Sequence, residues 1–277
     1  MVSKQAKRIL AVVAMALVAV TLAGCSTSAV DANSTGIWDR YVIYNAAQFI
    51  KWLSGFFGGS YGMGIILFTI IIRIVIFPLS AISMKNMTKQ SEIAPKLKAL
   101  QQQYKSKDQE TQEKLMKETR KLYADEDVHP MMSFLPVLVQ MPFLFALYQA
   151  IYRTDSLKAG TFLWMQLGKP DPLYITMILA AIFTGLTSYM SMLAQPERNS
   201  MSMIMTFGMP IFIFVMALAL PSAVTIYWVV TNAFSLVQQL LLQNPFKLRR
   251  EREAKAQAER DREKALRKAK KRALGKR

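Results

Sequence analysis

Five long apolar segments constrain this chain more than any other feature of its sequence. A membrane-spanning helix needs roughly 20 apolar residues, each rising about 1.5 Å. The first segment contains residues 62–78 and carries a single charged side chain. The other four contain no Asp, Glu, Lys, Arg or His, and lie at residues 131–152, 173–193, 203–220 and 223–242. These lengths predict an all-α, polytopic membrane protein with five transmembrane helices.

The charged side chain in the first segment is Arg73. A central Arg costs about 2.5–3.5 kcal/mol on insertion scales, so an intramembrane Arg is a functional-site hypothesis by default. The other segments offer it no carboxylate. Two interpretations stay open. Arg73 either snorkels to the headgroups near Pro78, or lies in a hydrated cavity where water, polar side chains, lipid phosphate or an incoming acidic group meets its charge.

The composition argues for the same class of protein and against an enzyme. The chain is 52% hydrophobic, with a mean hydropathy of +0.20 and a formal net charge of +17. This combination is typical of an integral membrane protein with basic tails. One Cys and one His argue against a disulfide framework and a zinc site. No nucleotide-binding or metalloprotease motif is present, so we predict no catalytic residue, no cofactor and no metal.

Residues 1–25 have the pattern of a bacterial secretory signal. Lys4, Lys7 and Arg8 precede a short apolar core at residues 9–21. The following Leu22-Ala23-Gly24-Cys25 resembles the lipobox, and this resemblance implies cleavage before Cys25 and attachment of a lipid to its sulfur. An uncleaved first helix is the alternative.

Two further segments have clear patterns. Residues 37–57 alternate apolar and polar faces at helical spacing, which predicts an amphipathic helix at the outer interface. Residues 85–127 contain ten basic and eight acidic side chains and predict a hairpin of two antiparallel helices. A solvated connector is the alternative. Basic residues accumulate in cytoplasmic loops, so this loop predicts a cytoplasmic hairpin, an external N-terminus and a cytoplasmic C-terminus.

Residues 247–277 form a basic tail with fifteen basic and five acidic residues and few large apolar ones. It cannot build a core, and its charge suits binding to either anionic lipid or RNA phosphate.

The predicted organisation is a signal peptide (1–24), a lipid-anchored tether with the interfacial helix (25–60), a first span (61–79), the cytoplasmic hairpin (80–130), a second span (131–152), an external loop (153–172), a third span (173–194), a cytoplasmic loop (195–202), a fourth span (203–220), a fifth span (223–243) and the basic tail (247–277).

Four stretches in order resemble the YidC/Oxa/Alb family of membrane protein insertases, in the short form of Gram-positive bacteria. They are Arg73 within residues 70–78, the run 135–143 containing Gln140, the run 162–172, and the run 227–238 containing Trp228. The similarity extends over residues 38–246. The sequence departs from the family pattern in the third span, which carries Ser188, Met190 and Ser191 where a Gln is common.

The resemblance implies a bacterial cell-membrane insertase and chaperone with five helices around a hydrophilic groove. The groove would open to the cytoplasm and sideways to lipid and be closed toward the outside. Arg73, Gln140 and Trp228 would line this client-binding groove. For Gln140 a helix-packing amide, and for Trp228 an interfacial belt residue, remain alternatives.

The implied partners are nascent membrane proteins and the ribosome, which would contact the hairpin and the basic tail. The Sec translocon, a targeting receptor and anionic lipids are further expected partners. The alternative function is a small transporter or channel. That class predicts intramembrane carboxylates or an inverted repeat, and the sequence has neither.

Overall fold

The computed structural model describes residues 28–195 and 200–275, and these residues are predominantly α-helical. Residues 1–24 and Cys25, the predicted signal peptide and lipid site, lie outside the described residues, as do residues 196–199 of the predicted turn. The elements are a π-helical segment (Trp38–Tyr44), α1 (Asn45–Gly55), α2 (Tyr61–Gln103), α3 (Gln109–Asp125), a 3₁₀ turn (Pro130–Phe134), α4 (Leu135–Tyr152), α5 (Asp155–Ala159), β1 (Thr161–Phe162), β2 (Met165–Gln166), α6 (Ile175–Leu193), α7 (Ser200–Ala217), α8 (Ser222–Leu242) and α9 (Pro245–Leu274).

Local sequence accounts for several of these boundaries. Gly58 and Gly59 have φ angles of +62° and +82°, and they make the turn between α1 and α2, a conformation that glycine adopts without steric cost. The side chain of Asp108 accepts a hydrogen bond from the amide of Thr111 at 2.8 Å and so caps the start of α3. Asn244 caps α9 in the same way, with Pro245 in the first turn.

Helix α2 is continuous through Pro78, where the sequence interpretation placed the end of the first span. A proline inside a helix removes one backbone hydrogen bond, but tertiary contacts hold the helix beyond it. Ser83 donates to the carbonyl of Met132 at 2.8 Å. Asn86 donates to the carbonyl of His129 at 2.8 Å and accepts from the amide of His129 at 3.0 Å. The first helix of the predicted hairpin is therefore the second half of α2.

Within the described ranges, four helices are long and apolar enough to cross a membrane. They include Pro130–Tyr152 and Ile175–Leu193 together with parts of Tyr61–Gln103 and Ser222–Arg272. The apolar helix Ser202–Ala217, within α7, is shorter. The all-α membrane class is confirmed, and the count of five spans stays a prediction.

The predicted external loop, residues 153–172, contains regular structure. Helix α5 leads into a two-stranded antiparallel hairpin in which Thr161 pairs with Gln166 and Phe162 with Met165. The loop then returns to the helices, because the amide of Ser222 donates to the carbonyl of Lys169 at 2.7 Å. These contacts seat the β-hairpin on the start of α8.

The hydrophobic core lies at one end of the helix bundle, which we call the core end. Its buried side chains come from α1, the first part of α2, the last part of α4, the β-hairpin and the first part of α8. The opposite end, where α2 continues into α3, is called the hairpin end. Helix α9 is largely exposed and follows α8 at the hairpin end, where Arg252 donates to the carbonyl of Ala194 after α6. The main hydrophobic cluster therefore lies at the core end.

Candidate functional site

The three site residues predicted from the sequence lie on three helices that pack against one another, α2, α4 and α8. Arg73 directly follows Ile72, the last α2 residue that packs on the core. Gln140 lies one turn before Leu144, where the core contacts of α4 begin. Trp228 itself packs against the core. All three positions therefore border the inner edge of the core, although no hydrogen bond joins their side chains.

Buried polar atoms without a hydrogen-bond partner gather on the same helices. A buried donor or acceptor left unsatisfied costs about 1–3 kcal/mol, and ordered water commonly satisfies such atoms. On α2, α4 and α8 these atoms are Arg73 Nε, Gln140 Nε2 and Gln238 Nε2, whereas the hydroxyls of Tyr227 and Thr231 lie within bonding reach of each other. Trp38, Thr154 and Arg252 carry further such atoms elsewhere in the fold. These atoms lie on the three helices that carry the predicted site residues.

Arg73 is half-buried, and its Nε atom is fully enclosed. None of the ion pairs between described residues includes it. Its electrostatic neighbour is the phenol of Tyr227 on α8, which is 3% exposed.

Of the cavities at the hairpin end, beyond the site residues, two are bordered by the final turns of α6. The larger, about 520 Å³, is enclosed by the second half of α2 and the final turns of α6 and α8. It is lined by apolar side chains, by hydroxyls and amides such as Ser91, Ser191 and Gln243, and by Lys98. Arg73, Gln140 and Trp228 line neither this cavity nor the smaller one.

The smaller cavity, about 380 Å³, lies between α6 and α7 and is rich in hydroxyl groups. Ser188 and Ser191 line it, together with Thr187, Ser202 and Thr206. Ser191 also lines the larger cavity. The third predicted span thus contributes hydroxyl groups where the family pattern has a Gln.

Sequence reasoning gave no role to Asp171, which organises the core end. Its side chain is 1% exposed and accepts hydrogen bonds from the Trp164 indole (2.8 Å), the Leu173 amide (3.0 Å), and both the amide and the hydroxyl of Thr176 (2.8 Å each). Burial alone would raise the pKa of Asp171, but these donors lower it below the ordinary value. The only sequence signal is an acidic residue just before a helix, where the helix dipole favours it.

The Thr176 hydroxyl continues this network to Thr225 of α8 at 2.8 Å. The loop before α6, the start of α6 and the start of α8 are thereby fixed to one another. Among residues 28–195 and 200–275, no group of three or more His, Cys, Asp or Glu side chains could hold a metal ion.

Comparison with known proteins gives consistent matches along the chain. Residues 52–251 match the family described as 60Kd inner membrane protein. The chain is 50% identical over 267 residues to the "Membrane protein insertase YidC" of Enterococcus faecalis, covering 96% of both chains. It is 54% identical over 255 residues to "Membrane protein insertase YidC 2" of Lactiplantibacillus plantarum, covering 92% of both.

A solved structure has a similar fold. It is described as "Active YidC insertase crystal structure with the first transmembrane domain resolved", and it matches with a TM-score of 0.57 at 22% sequence identity. The match covers 73% of this chain but only 46% of the crystallised chain. At this identity the likeness concerns the fold.

Proposed function

Because this chain belongs to the 60 kDa inner membrane protein family, whose matching relatives are YidC membrane protein insertases, we propose that it inserts clients through a hydrated groove bordered by Arg73. The chain is a multi-pass bacterial membrane protein and an insertase, and its clients are nascent membrane proteins. The groove and the role of its residues are our proposal.

The gathering of unpaired buried polar atoms on α2, α4 and α8 carries this proposal. In hydrocarbon such atoms have no partner, so the space between these helices must admit water or a polar segment. The core closes one end of the bundle, and the cavities lie at the other. These features support a groove that is closed at the core end and open at the hairpin end.

We assign the hairpin end to the cytoplasm and the core end to the outside. The hairpin and α9 carry most of the basic residues of the chain, and such residues accumulate on the cytoplasmic side. The N-terminus is then external, with a lipid on Cys25, and α7 is the fourth of five spans. The exposed aromatic side chains Tyr41, Trp52 and Phe56 suit an outer interface.

The proposed role of Arg73 is to attract the acidic residues that often flank a client helix. A fixed charge in a site of lower dielectric than water acts more strongly than one in bulk solvent. The polar segment therefore crosses in stages, meeting the cation part-way. The apolar helix of the client then moves sideways into lipid, where burial gains about 25 cal/mol per Å².

Gln140 and Trp228 border the groove in this proposal. The free amide of Gln140 supplies a donor to a passing backbone or side chain, and the Trp228 ring supplies an apolar wall beside it. No bond is made or broken, so the mechanism includes no catalytic residue, cofactor or metal.

The proposed partners follow from charge. The hairpin and the basic tail would bind the ribosome through phosphate neutralisation. Anionic lipid attracts the same residues with about 1 kcal/mol per charge near the surface. Contacts with the Sec translocon and a targeting receptor are proposed for the hairpin.

The test is insertion into proteoliposomes that contain only this protein. The client has one span and an acidic external tail, and protease protection of that tail is measured. We expect protection with the native chain, strong loss with Arg73→Ala, and none in empty vesicles. Equal protection with Arg73→Ala would refute the groove role of Arg73 while leaving the insertase function intact.

A further inference from the structure

Arg153, immediately after α4, has a buried guanidinium that the proposed groove does not use. Its side chain is only 2% exposed. Two of its nitrogens donate to the two carboxylate oxygens of Asp39, at 2.9 and 2.5 Å. Its Nε donates to the carbonyl of Ser28 at 2.7 Å, and Gln149 of α4 accepts a further bond at 3.1 Å. A buried cation is thus fully occupied by partners from the N-terminal part of the chain and from its own helix.

The segment that Arg153 holds is residues 28–36, which we call the N-terminal strap. The amide of Val30 donates to the carbonyl of Arg153 at 2.9 Å, so the backbone of Arg153 also binds the strap. The Val30 side chain is 7% exposed and belongs to the core. Asp31 then makes a local turn by accepting from the Asn33 amide at 2.9 Å. The strap is therefore attached to the core end at Ser28 and Val30, whereas most of its other residues are exposed.

The geometry separates this ion pair from an ordinary surface contact. Surface pairs contribute about 0–1 kcal/mol, whereas removing one partner of a buried pair leaves an uncompensated charge. The paired nitrogens and oxygens have the bidentate arrangement that gives an Arg–carboxylate contact its directional specificity. The strap and the π-helical segment reach Arg153 across more than 100 residues of sequence.

We propose that Arg153 is a positioning residue that fastens the N-terminal strap and the π-helical segment to the end of α4. Through these contacts it seats α1 against the core end. The strap begins three residues after Cys25, a distance of at most about 11 Å for an extended chain. A lipid on Cys25, which rests on the proposed function above, would then be confined beside the end of α4.

Amide hydrogen exchange on the full chain in lipid nanodiscs tests this proposal. In the native chain the Val30 amide should exchange slowly, because it is bonded and buried. Arg153→Gln should speed its exchange by about tenfold or more, and Asp39→Asn should act in the same direction. The Val30 amide should exchange more slowly in Arg153→Lys than in Arg153→Gln, since Lys keeps the charge although it loses the paired geometry.

Arg40→Gln is the matched control, because Arg40 is exposed and adjacent to Asp39. It should leave exchange of the strap unchanged. If Arg153→Gln does not fold, Asp39→Asn alone decides. Exchange at the native rate in Asp39→Asn, or equal acceleration by Arg40→Gln, would overturn the proposal.

Cys25→Ala separates the ion pair from the lipid as the source of order. We expect the strap to stay protected without the lipid. Loss of protection in Cys25→Ala, with Arg153 intact, would show that the lipid orders the strap and would overturn the proposal. Because exchange needs no client, failure of the insertion assay would not affect this result.

Discussion

At the scale of single residues, the charge of Arg73 can be separated from its shape. The Arg73→Lys variant keeps the cation and loses the planar fork of donors. If the groove attracts clients by charge, Arg73→Lys should retain most of the protease protection that Arg73→Ala loses. The proteoliposome assay measures both variants beside the native chain. Equal failure of both variants would contradict a pure charge mechanism and favour bidentate recognition of a client carboxylate.

Gly62 tests the packing of the β-hairpin on the bundle. A Cβ atom built at Gly62 would lie 2.1 Å from Cγ of Phe162, far inside a normal contact. Gly62→Ala should therefore destabilise the protein by about 1–3 kcal/mol through overpacking, seen as a lower thermal unfolding temperature in detergent.

Gly55→Ala is the matched control for that substitution. Gly55 ends α1, and a Cβ atom there meets nothing within 4 Å. The unfolding temperature of Gly55→Ala should stay within a few degrees of that of the native chain. A similar loss in both variants would show that the effect comes from the glycine backbone and not from contact with Phe162.

Asp171 gives a pH dependence with a defined sign. Hydrogen bonds hold its pKa below the ordinary value, which is about 3.9 for Asp. Its stabilising contribution is therefore complete above about pH 4 and is lost as the pH falls through the lower pKa of the folded state. Asp171→Asn should cost about 2–3 kcal/mol at pH 7.

The measurement compares unfolding of the native chain and Asp171→Asn at pH 7 and pH 3. The difference between them should shrink at the lower pH, because the Asp171 carboxyl of the unfolded state becomes protonated there, whereas the side chain of Asp171→Asn does not titrate. A constant difference at both values would contradict an ionised Asp171.

At the scale of elements, the junction between α2 and the segment before α4 fixes the hairpin. Asn86 is 6% exposed and bonds both backbone groups of His129, whereas Lys89 pairs with Asp127 on the surface at 2.8 Å. Asn86→Ala should cost about 1–3 kcal/mol, since it leaves backbone groups unsatisfied. Lys89→Ala should change stability by less than about 1 kcal/mol. Thermal unfolding of the two variants compares them, and an equal loss would contradict this ranking.

The elements also show how far the sequence alone could go. Apolar length predicted the helical membrane class. The sequence did not show that α2 continues into the predicted hairpin, because Ser83 and Asn86 bond to residues more than 40 positions away. Asp171 and Arg153 had no periodic signal, since their partners come together only in the fold. Lining of the groove by Arg73, Gln140 and Trp228 stays a prediction.

At the scale of the whole molecule, the two ends of the bundle differ in their apolar packing and in how their polar groups are bonded. The core end combines apolar packing with saturated polar networks at Asp171 and Arg153. The hairpin end has cavities lined by hydroxyls and amides, and unpaired polar atoms lie between the two ends. In the proposed groove, a closed core end and an open hairpin end would suit one-sided entry of a polar segment, because only the open side must admit water.

The basic tail provides the last prediction at this scale. Helix α9 is mostly exposed, so deleting residues 247–277 should change the unfolding temperature little. If these charges bind ribosomal RNA, the deletion should weaken co-sedimentation with ribosomes, and the native interaction should fall steeply with salt, because each phosphate contact releases counterions.

A full-length variant with the tail Lys and Arg residues changed to Gln serves as the control for chain length. It should bind ribosomes as weakly as the truncated chain. Binding at the native level after deletion would contradict ribosome docking by α9. If the Gln variant binds natively while the truncation fails, the shape of α9, and not its charge, would account for docking.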